Sequence, residues 1–114
     1  MTGQDLILEM QSRMKTLDAA LKQIGKRGGE YAQKEHDYRV ALAQKMLVER
    51  DKGTPATILS DICRGSAEIA QKKLERDIAE SMYKAALEAC NVYKLQIRVL
   101  ENQIEREWGK AGNE

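Results

Sequence analysis

The chain has 114 residues, of which 32% are charged and 42% hydrophobic, with one proline and no phenylalanine. That length fits one domain with a small core, and the composition is typical of long helices rather than of mixed helix and sheet. Nineteen Lys and Arg against 18 Asp and Glu leave a formal net charge of +1. Such a balance provides no general attraction to nucleic acid or to an anionic membrane.

The N-terminal segment lacks a basic stretch followed by a long apolar run, and no stretch approaches the roughly 20 apolar residues of a membrane span. We therefore expect an intracellular protein without membrane contact. Cys63 and Cys90 stand without a CxxC motif or a nearby histidine. We expect both to be small buried apolar residues, and a disulfide between them is the alternative.

Apolar residues recur every three or four positions in the first half of the chain, which is the spacing of a heptad repeat. The stripe consists of Ile7, Met10, Met14, Leu17, Leu21, Ile24, Gly28, Tyr31, Glu35, Tyr38 and Leu42. Asp5 is expected at or beside the N-cap, and Gly53 ends the helix because glycine adopts the left-handed conformation freely. The pattern predicts a first helix over residues 5–50.

A short helix over residues 55–63 is predicted next, because Thr54-Pro55 fits an N-cap followed by proline at the first helical position. We expect it to fold over the turn as a cap. The segment Arg64-Gly65-Ser66 predicts a second break, at which Ser66 caps the following helix.

A second long helix is predicted over residues 66–108, because no helix breaker follows until Gly109. Its apolar stripe contains more steps of four than of three, which indicates weak supercoiling. The stripe consists of Ala67, Ala70, Leu74, Ile78, Met82, Ala85, Ala89, Tyr93, Ile97, Leu100, Ile104 and Trp108.

Two long helices of matched length predict an all-α fold, an antiparallel coiled-coil hairpin that forms a single domain over residues 1–114. The register that places residue 50 opposite residue 66 brings Gly25, Gly28 and Gly29 opposite residues 87–91. Glycine destabilises a helix interior, which leaves two outcomes open. Either small residues on both helices let the backbones approach closely, or the first helix kinks or breaks at the glycines.

One apolar stripe per helix is a weak basis for independent folding, and surplus apolar residues cluster at the end remote from the turn. We therefore expect a homodimer through that end, forming a four-helix bundle. The candidate dimer seam consists of Leu6, Leu8, Met10, Leu95, Val99 and Trp108.

Glu30, Glu35, His36 and Asp37 form a cluster with metal-ligand chemistry, but on a helix they point in different directions. We expect no metal ion and no cofactor. Glu35 lies on the apolar stripe between Tyr31 and Tyr38, which predicts a polar core residue that fixes the register of the coiled coil.

Four cations in or beside the segment 55–76 are candidate contacts for a protein partner or nucleic acid. They are Arg64, Lys72, Lys73 and Arg76. The outline of a helix-turn-helix is present here, but the charged Asp61 fits that motif poorly and the second helix is far too long. Acidic neighbours such as Glu75 and Asp77 favour a solvated helix face over a phosphate-binding surface.

The sequence contains no P-loop, GxGxxG or HExxH motif, and no Ser or Cys stands with a candidate general base. We therefore expect no enzymatic activity.

Several helical segments and the turn together resemble small uncharacterised helical proteins encoded by phages and prophages of Gram-positive bacteria. The segments that carry the resemblance are Gly28 to Tyr31, Tyr38 to Ala43, Gly53 to Thr57, Arg76 to Glu80 and Tyr83 to Ala86. The resemblance spans nearly the whole chain and implies a phage-accessory protein in the cytoplasm of a bacterial host. It also implies a gene placed among early genes for DNA replication and recombination, and it supplies no catalytic residues.

We therefore expect a non-enzymatic protein that contacts a protein partner through its helix surfaces, with a role in DNA replication or recombination. Direct nucleic-acid binding through residues 55–76 is one alternative. Inhibition of a host defence system is another.

Overall fold

The computed structural model describes the backbone of residues 2–113 and the side chains of residues 2–109. Three α-helices follow one another: α1 over Gly3–Asp51, α2 over Ala56–Gly65 and α3 over Ala67–Asn113. The described part of the chain contains no strand, so the prediction of an all-helical fold with two long helices and one short helix is confirmed.

Contacts divide the chain into two compact units. The terminal unit combines Met1–Gly25 with Lys84–Glu114, and the central unit contains Lys26–Tyr83. Within each unit the segments of α1 and α3 run antiparallel. Arg13 bonds to Gln96 in the terminal unit, and Lys34 pairs with Glu75 in the central unit.

The start of α1 is held by a reciprocal pair of hydrogen bonds. The backbone N–H of Asp5 donates to Thr2 Oγ1 at 3.1 Å, and the N–H of Thr2 donates to Asp5 Oδ2 at 3.2 Å. This is a capping box, in which two backbone donors without helical partners are satisfied by side chains. The N-cap is therefore Thr2, and Asp5 is its partner three residues later.

The turn after α1 contains Gly53 with φ +85°, which confirms the predicted left-handed glycine. Thr54 does not cap α2 as predicted, because its hydroxyl donates to Glu49 Oε2 at 3.1 Å and Pro55 precedes the helix. Ser66 precedes α3 at the predicted N-cap position, and its carbonyl accepts a hydrogen bond from the N–H of Ala70 at 2.9 Å. Its hydroxyl, however, donates to the carbonyl of Cys63 at 2.7 Å and so closes α2. Both side chains bond backward along the chain, toward the preceding helix.

The helix α2 packs beside the last turns of α1, and the prediction that it folds over the turn as a cap is wrong. Tyr38, Leu42, Cys63 and Ile69 form the buried core of the central unit, and partly buried residues of α1 and α2 pack around them. These surrounding residues are Ala41, Met46 and Leu59. α2 therefore covers the part of α1 that the predicted register assigned to the start of α3.

The predicted helix register is wrong for this reason. It places Ser81 opposite Glu35, whereas Glu35 bonds to Arg76, five residues earlier in α3. It places Glu88 opposite Gly28, whereas Gly28 approaches Tyr83.

The helix α1 is continuous through Gly25–Gly29, so a break at the glycines is excluded. Close packing of these glycines on small residues is also wrong. Gly28 makes room for the ring of Tyr83, which in turn lies with its centroid 6.2 Å from that of Tyr31. Gly29 has open space where a side chain would stand.

Substituting alanine for Gly28 and for Gly29 is expected to change the free energy of unfolding by different amounts. Gly29→Ala raises the free energy of unfolding by about 1 kcal/mol, because alanine is the better helix former and nothing opposes its methyl group. Gly28→Ala gains less, because its Cβ would lie 3.2 Å from Tyr83 Cε1. Urea unfolding of the two variants measures the difference, and an equal gain at both positions would contradict the contact with Tyr83.

Several residues of the predicted apolar stripes are exposed to solvent. In the terminal unit Met14 and Leu21 are exposed, and the neighbouring Arg13 and Ala20 are half-buried. In the central unit all five predicted stripe residues of α3 are exposed, and Ile69 is buried. These five residues are Ala67, Ala70, Leu74, Ile78 and Met82.

Candidate interaction surfaces

Arg76 joins α3 to α1 in the central unit. It donates from Nη1 to Glu35 Oε2 at 3.0 Å and from Nη2 to Asp77 Oδ1 at 2.9 Å. Its guanidinium also lies 5.0 Å from the centre of the Tyr38 ring, within the range of a cation–π interaction. The hydrogen bonds to Asp77 and Glu35 raise the pKa of Arg76 above its ordinary value. The charge of Arg76 is thus compensated inside the unit.

The three residues predicted to fix the register all contact α3. Tyr31 meets the ring of Tyr83, Glu35 bonds to Arg76, and Tyr38 lies under the Arg76 guanidinium. Glu35 also accepts a hydrogen bond from Arg39 Nε at 2.6 Å. Bonds from Arg39 and then from Arg76 lower the pKa of the Glu35 carboxyl.

Acid is expected to weaken the central unit through Glu35. Because the pKa of Glu35 is below its ordinary value of 4.5 in the folded chain, its stabilising effect is complete above pH 4.5 and is lost as the pH falls through the lowered pKa. Urea unfolding at pH 7 and pH 3 measures this loss, which Glu35→Gln should reduce. An equal loss in Glu35→Gln and in the control Glu68→Gln, at an exposed position, would contradict it.

The four candidate contact cations are largely engaged within the central unit. Arg64 donates to the hydroxyl of Tyr38 at 2.9 Å, and Lys73 donates to Asp77 Oδ2 at 2.9 Å. Lys72 is half-buried and has no ion pair with another described residue. Arg64 and Lys73 nevertheless remain exposed, whereas Arg76 is half-buried.

The acidic cluster around His36 is dispersed. Glu30 pairs with Arg27 at 3.2 Å, and Glu35 faces Arg76. His36 Nδ1 lies 3.4 Å from Asp37 Oδ1. Among the described residues no group of three His, Cys, Asp or Glu side chains is arranged to hold a metal ion.

The outer side of α3 in the central unit is an exposed apolar surface. Leu74, Ile78 and Met82, four residues apart, are 52%, 55% and 43% exposed. We call these three residues the outer stripe. The opposite side of the same helix carries Arg76, which packs on α1. In this part of α3 the side that faces α1 carries Arg76 together with the apolar Ile69 and Tyr83, and the outer stripe faces solvent.

No family model, curated protein or solved structure matches this chain. Candidate surfaces therefore follow from the geometry of the chain itself. In the described part of the chain, no helix combines the length and the apolar composition that crossing a bilayer requires.

The candidate dimer seam lies in the terminal unit, where one of its six residues is unsuited to a seam. Leu6 is buried at 4% exposure within the unit, so it offers no surface to a partner. Met10 is half-buried. The exposed members are Leu8, Leu95, Val99 and Trp108.

Two open cavities border these exposed residues. One of about 480 Å³ lies between the start of α1 and the end of α3, where Ile7 and Trp108 contribute to its lining. The other, of about 340 Å³, is lined by Leu95 and Val99 of α3 and by Glu9 and Arg13 of α1. The second cavity is thus an open groove beside apolar side chains of α3.

Proposed function

We propose that this chain is a non-enzymatic interaction protein that binds another protein through exposed apolar helix faces and acts as a homodimer. The outer stripe is the observation that carries the proposal. Apolar surface removed from water contributes about 25 cal/mol per Å² to stability, and the single chain leaves the outer stripe in water. A partner that covers Leu74, Ile78 and Met82 gains this contribution.

The side of α3 that faces α1 supports the same proposal. Turning Arg76 toward α1 requires its charge to be matched by Glu35 and Asp77. This arrangement keeps the apolar side of α3 free for a second protein. The resemblance to phage and prophage proteins supports an accessory role in the cytoplasm of a bacterial host, with a partner that acts in DNA replication or recombination.

Inhibition of a host defence protein would use the same surface and differs only in the identity of the partner. Direct nucleic-acid binding has less support, because Arg64, Lys73 and Arg76 donate to groups within the central unit. If nucleic acid were nevertheless the ligand, the affinity would fall steeply with salt because counterions are released on binding.

Affinity capture with matched variants tests the proposal. The outer-stripe variant, Leu74→Ser with Ile78→Ser and Met82→Ser, is compared with a control variant in the same unit. The control is Val40→Ser with Leu47→Ser and Val48→Ser, which are also exposed. We expect the wild-type chain and the control to retain one partner from a bacterial host lysate and the outer-stripe variant to lose it.

Circular dichroism establishes that each variant remains helical before the capture is compared. Retention of the same partner by the outer-stripe variant would contradict the proposed surface. Retention of nucleic acid alone, removed by salt, would favour the alternative.

A further inference from the structure

A second line of exposed residues runs along α3 in the terminal unit with heptad spacing. Its successive steps are four, three, four, three and four residues, which is the spacing of positions a and d in a coiled coil. The line consists of Glu88, Val92, Leu95, Val99, Asn102 and Arg106, and all six are exposed. We call these six residues the terminal stripe.

The order of side chains in the terminal stripe is self-complementary when two copies run in opposite directions. Three apolar residues follow the acid Glu88 at one end, and the polar Asn102 separates them from the base Arg106 at the other. Reversing one copy places Leu95 opposite Val99, and it places Glu88 of each copy opposite Arg106 of the other. A two-fold axis generates every contact twice, as a symmetric dimer requires.

We propose that two copies of this chain pair through the terminal stripe as antiparallel helices, with Glu88 of each copy bound to Arg106 of the other. This inference rests on the proposed self-association and specifies its surface and direction. Neither charged residue has an ion pair with another described residue of its own chain. The side chain of Arg106 makes only a 3.4 Å hydrogen bond to the carbonyl of Asn102.

Parallel pairing in register is disfavoured by the same charges. It would stack Glu88 on Glu88 and Arg106 on Arg106, and like charges at facing positions repel. Antiparallel pairing also has unfavourable features. Val92 of each copy faces the polar Asn102 of the other, and the Arg98 residues of the two copies approach each other beside the two-fold axis. Arg98 is exposed, so water screens this contact, whereas two complementary pairs form at the ends.

The dimensions also suit a second copy. From residue 88 to residue 106 the terminal stripe is about 27 Å long at the rise of an α-helix. The cavity of about 340 Å³ adjoins Leu95 and Val99 on the α1 side. Apolar side chains of a second α3 can therefore pack against both the stripe and this groove. Two copies of the terminal unit paired in this way form a four-helix arrangement.

A charge-exchange cycle tests the direction of pairing. Glu88→Arg alone and Arg106→Glu alone each create two repulsive contacts in the antiparallel dimer, so each should raise the dimer dissociation constant about tenfold or more. The double variant Glu88→Arg with Arg106→Glu restores both pairs and should return to within about threefold of the wild type. Sedimentation equilibrium across micromolar concentrations measures the constants.

The outcomes separate this inference from the proposed function. A wild-type chain that is monomeric throughout would contradict self-association itself and with it the terminal-stripe dimer. A second outcome is a stable wild-type dimer whose dissociation constant is unchanged by the single exchanges or is not restored by the double variant. Either result would overturn only the antiparallel pairing through the terminal stripe. Loss of partner capture by the outer-stripe variant is independent of either result.

Cysteine crosslinking gives a second readout that does not depend on charge. Antiparallel pairing predicts that the Leu95→Cys and Val99→Cys variants form a mixed disulfide dimer when combined, and that neither forms one efficiently alone. Disulfide dimers of Leu95→Cys alone would indicate parallel pairing and overturn the inference. The wild-type chain is the control, because Cys63 and Cys90 are buried.

Discussion

Replacing Ile69 with alanine is expected to lower the free energy of unfolding by about 3 kcal/mol. Ile69 is 1% exposed and belongs to the core cluster with Tyr38, Leu42 and Cys63. Removing buried methyl and methylene groups loses their transfer free energy and leaves a cavity, which together cost about 2–5 kcal/mol for an isoleucine. Urea unfolding followed by circular dichroism measures the change.

The matched control is Ile78→Ala on the same helix. Ile78 is 55% exposed, so its truncation removes little buried surface and should change the free energy of unfolding by no more than about 0.5 kcal/mol. The two isoleucines thus report which side of α3 faces the core. A larger loss at Ile78 than at Ile69 would show that the outer stripe packs inside the chain.

Replacing Arg76 with methionine is expected to lower the free energy of unfolding by about 2 kcal/mol. The aliphatic part of the side chain is retained, but the bonds to Glu35 and Asp77 and the contact with the Tyr38 ring are lost. Charge-assisted hydrogen bonds are stronger than neutral ones, and loss of Arg76 leaves Glu35 without its cation from α3. Thermal and urea unfolding measure the change.

Arg39→Met provides the comparison, because Arg39 also bonds to Glu35 but its side chain is 77% exposed. An exposed ion pair within one helix contributes little, so this variant should differ from the wild type by no more than about 0.5 kcal/mol. Equal losses for the two variants would contradict the connecting role of Arg76 between α1 and α3.

The helices and the turn could be predicted from the sequence because their signals are local. Gly53 takes the left-handed conformation that ends α1, and Pro55 stands two residues later at the entry to α2. The position of Tyr38 and Leu42 on the buried side of α1 follows from apolar spacing alone. Glu35 lies on the same side of α1, as its position between Tyr31 and Tyr38 predicts.

The face of α3 could not be predicted from apolar spacing, because this helix carries candidate residues on more than one side. Leu74 and Ile78 follow the expected spacing, yet the side with Arg76 packs on α1. Spacing identifies residues that share a face, but not which face a neighbouring helix covers. The missing signal was electrostatic: Glu35 in the seam needs a cation on the facing helix, and Arg76 supplies it.

The predicted register of α1 against α3 was wrong for a different reason. Matching the lengths of the long helices assumed that α2 occupies no space beside α1, but Leu59 and Cys63 pack against its last turns. α3 therefore meets α1 about five residues away from the expected position, as the contact between Glu35 and Arg76 shows. Leu95 and Val99 of the terminal stripe were predicted as part of the dimer seam, but Glu88 and Arg106 were not, because apolar spacing does not identify charged residues.

Zero-length crosslinking tests most directly the claim that α3 turns the side with Arg76 toward α1. Lys34 Nζ and Glu75 Oε2 lie 3.8 Å apart, within reach of a carbodiimide-induced amide bond. At dilution we expect mass spectrometry to identify a crosslink between Lys34 and Glu75 within one chain. A crosslink from Lys34 to Glu80 in place of Glu75 would contradict both the observed register and the outward orientation of the outer stripe.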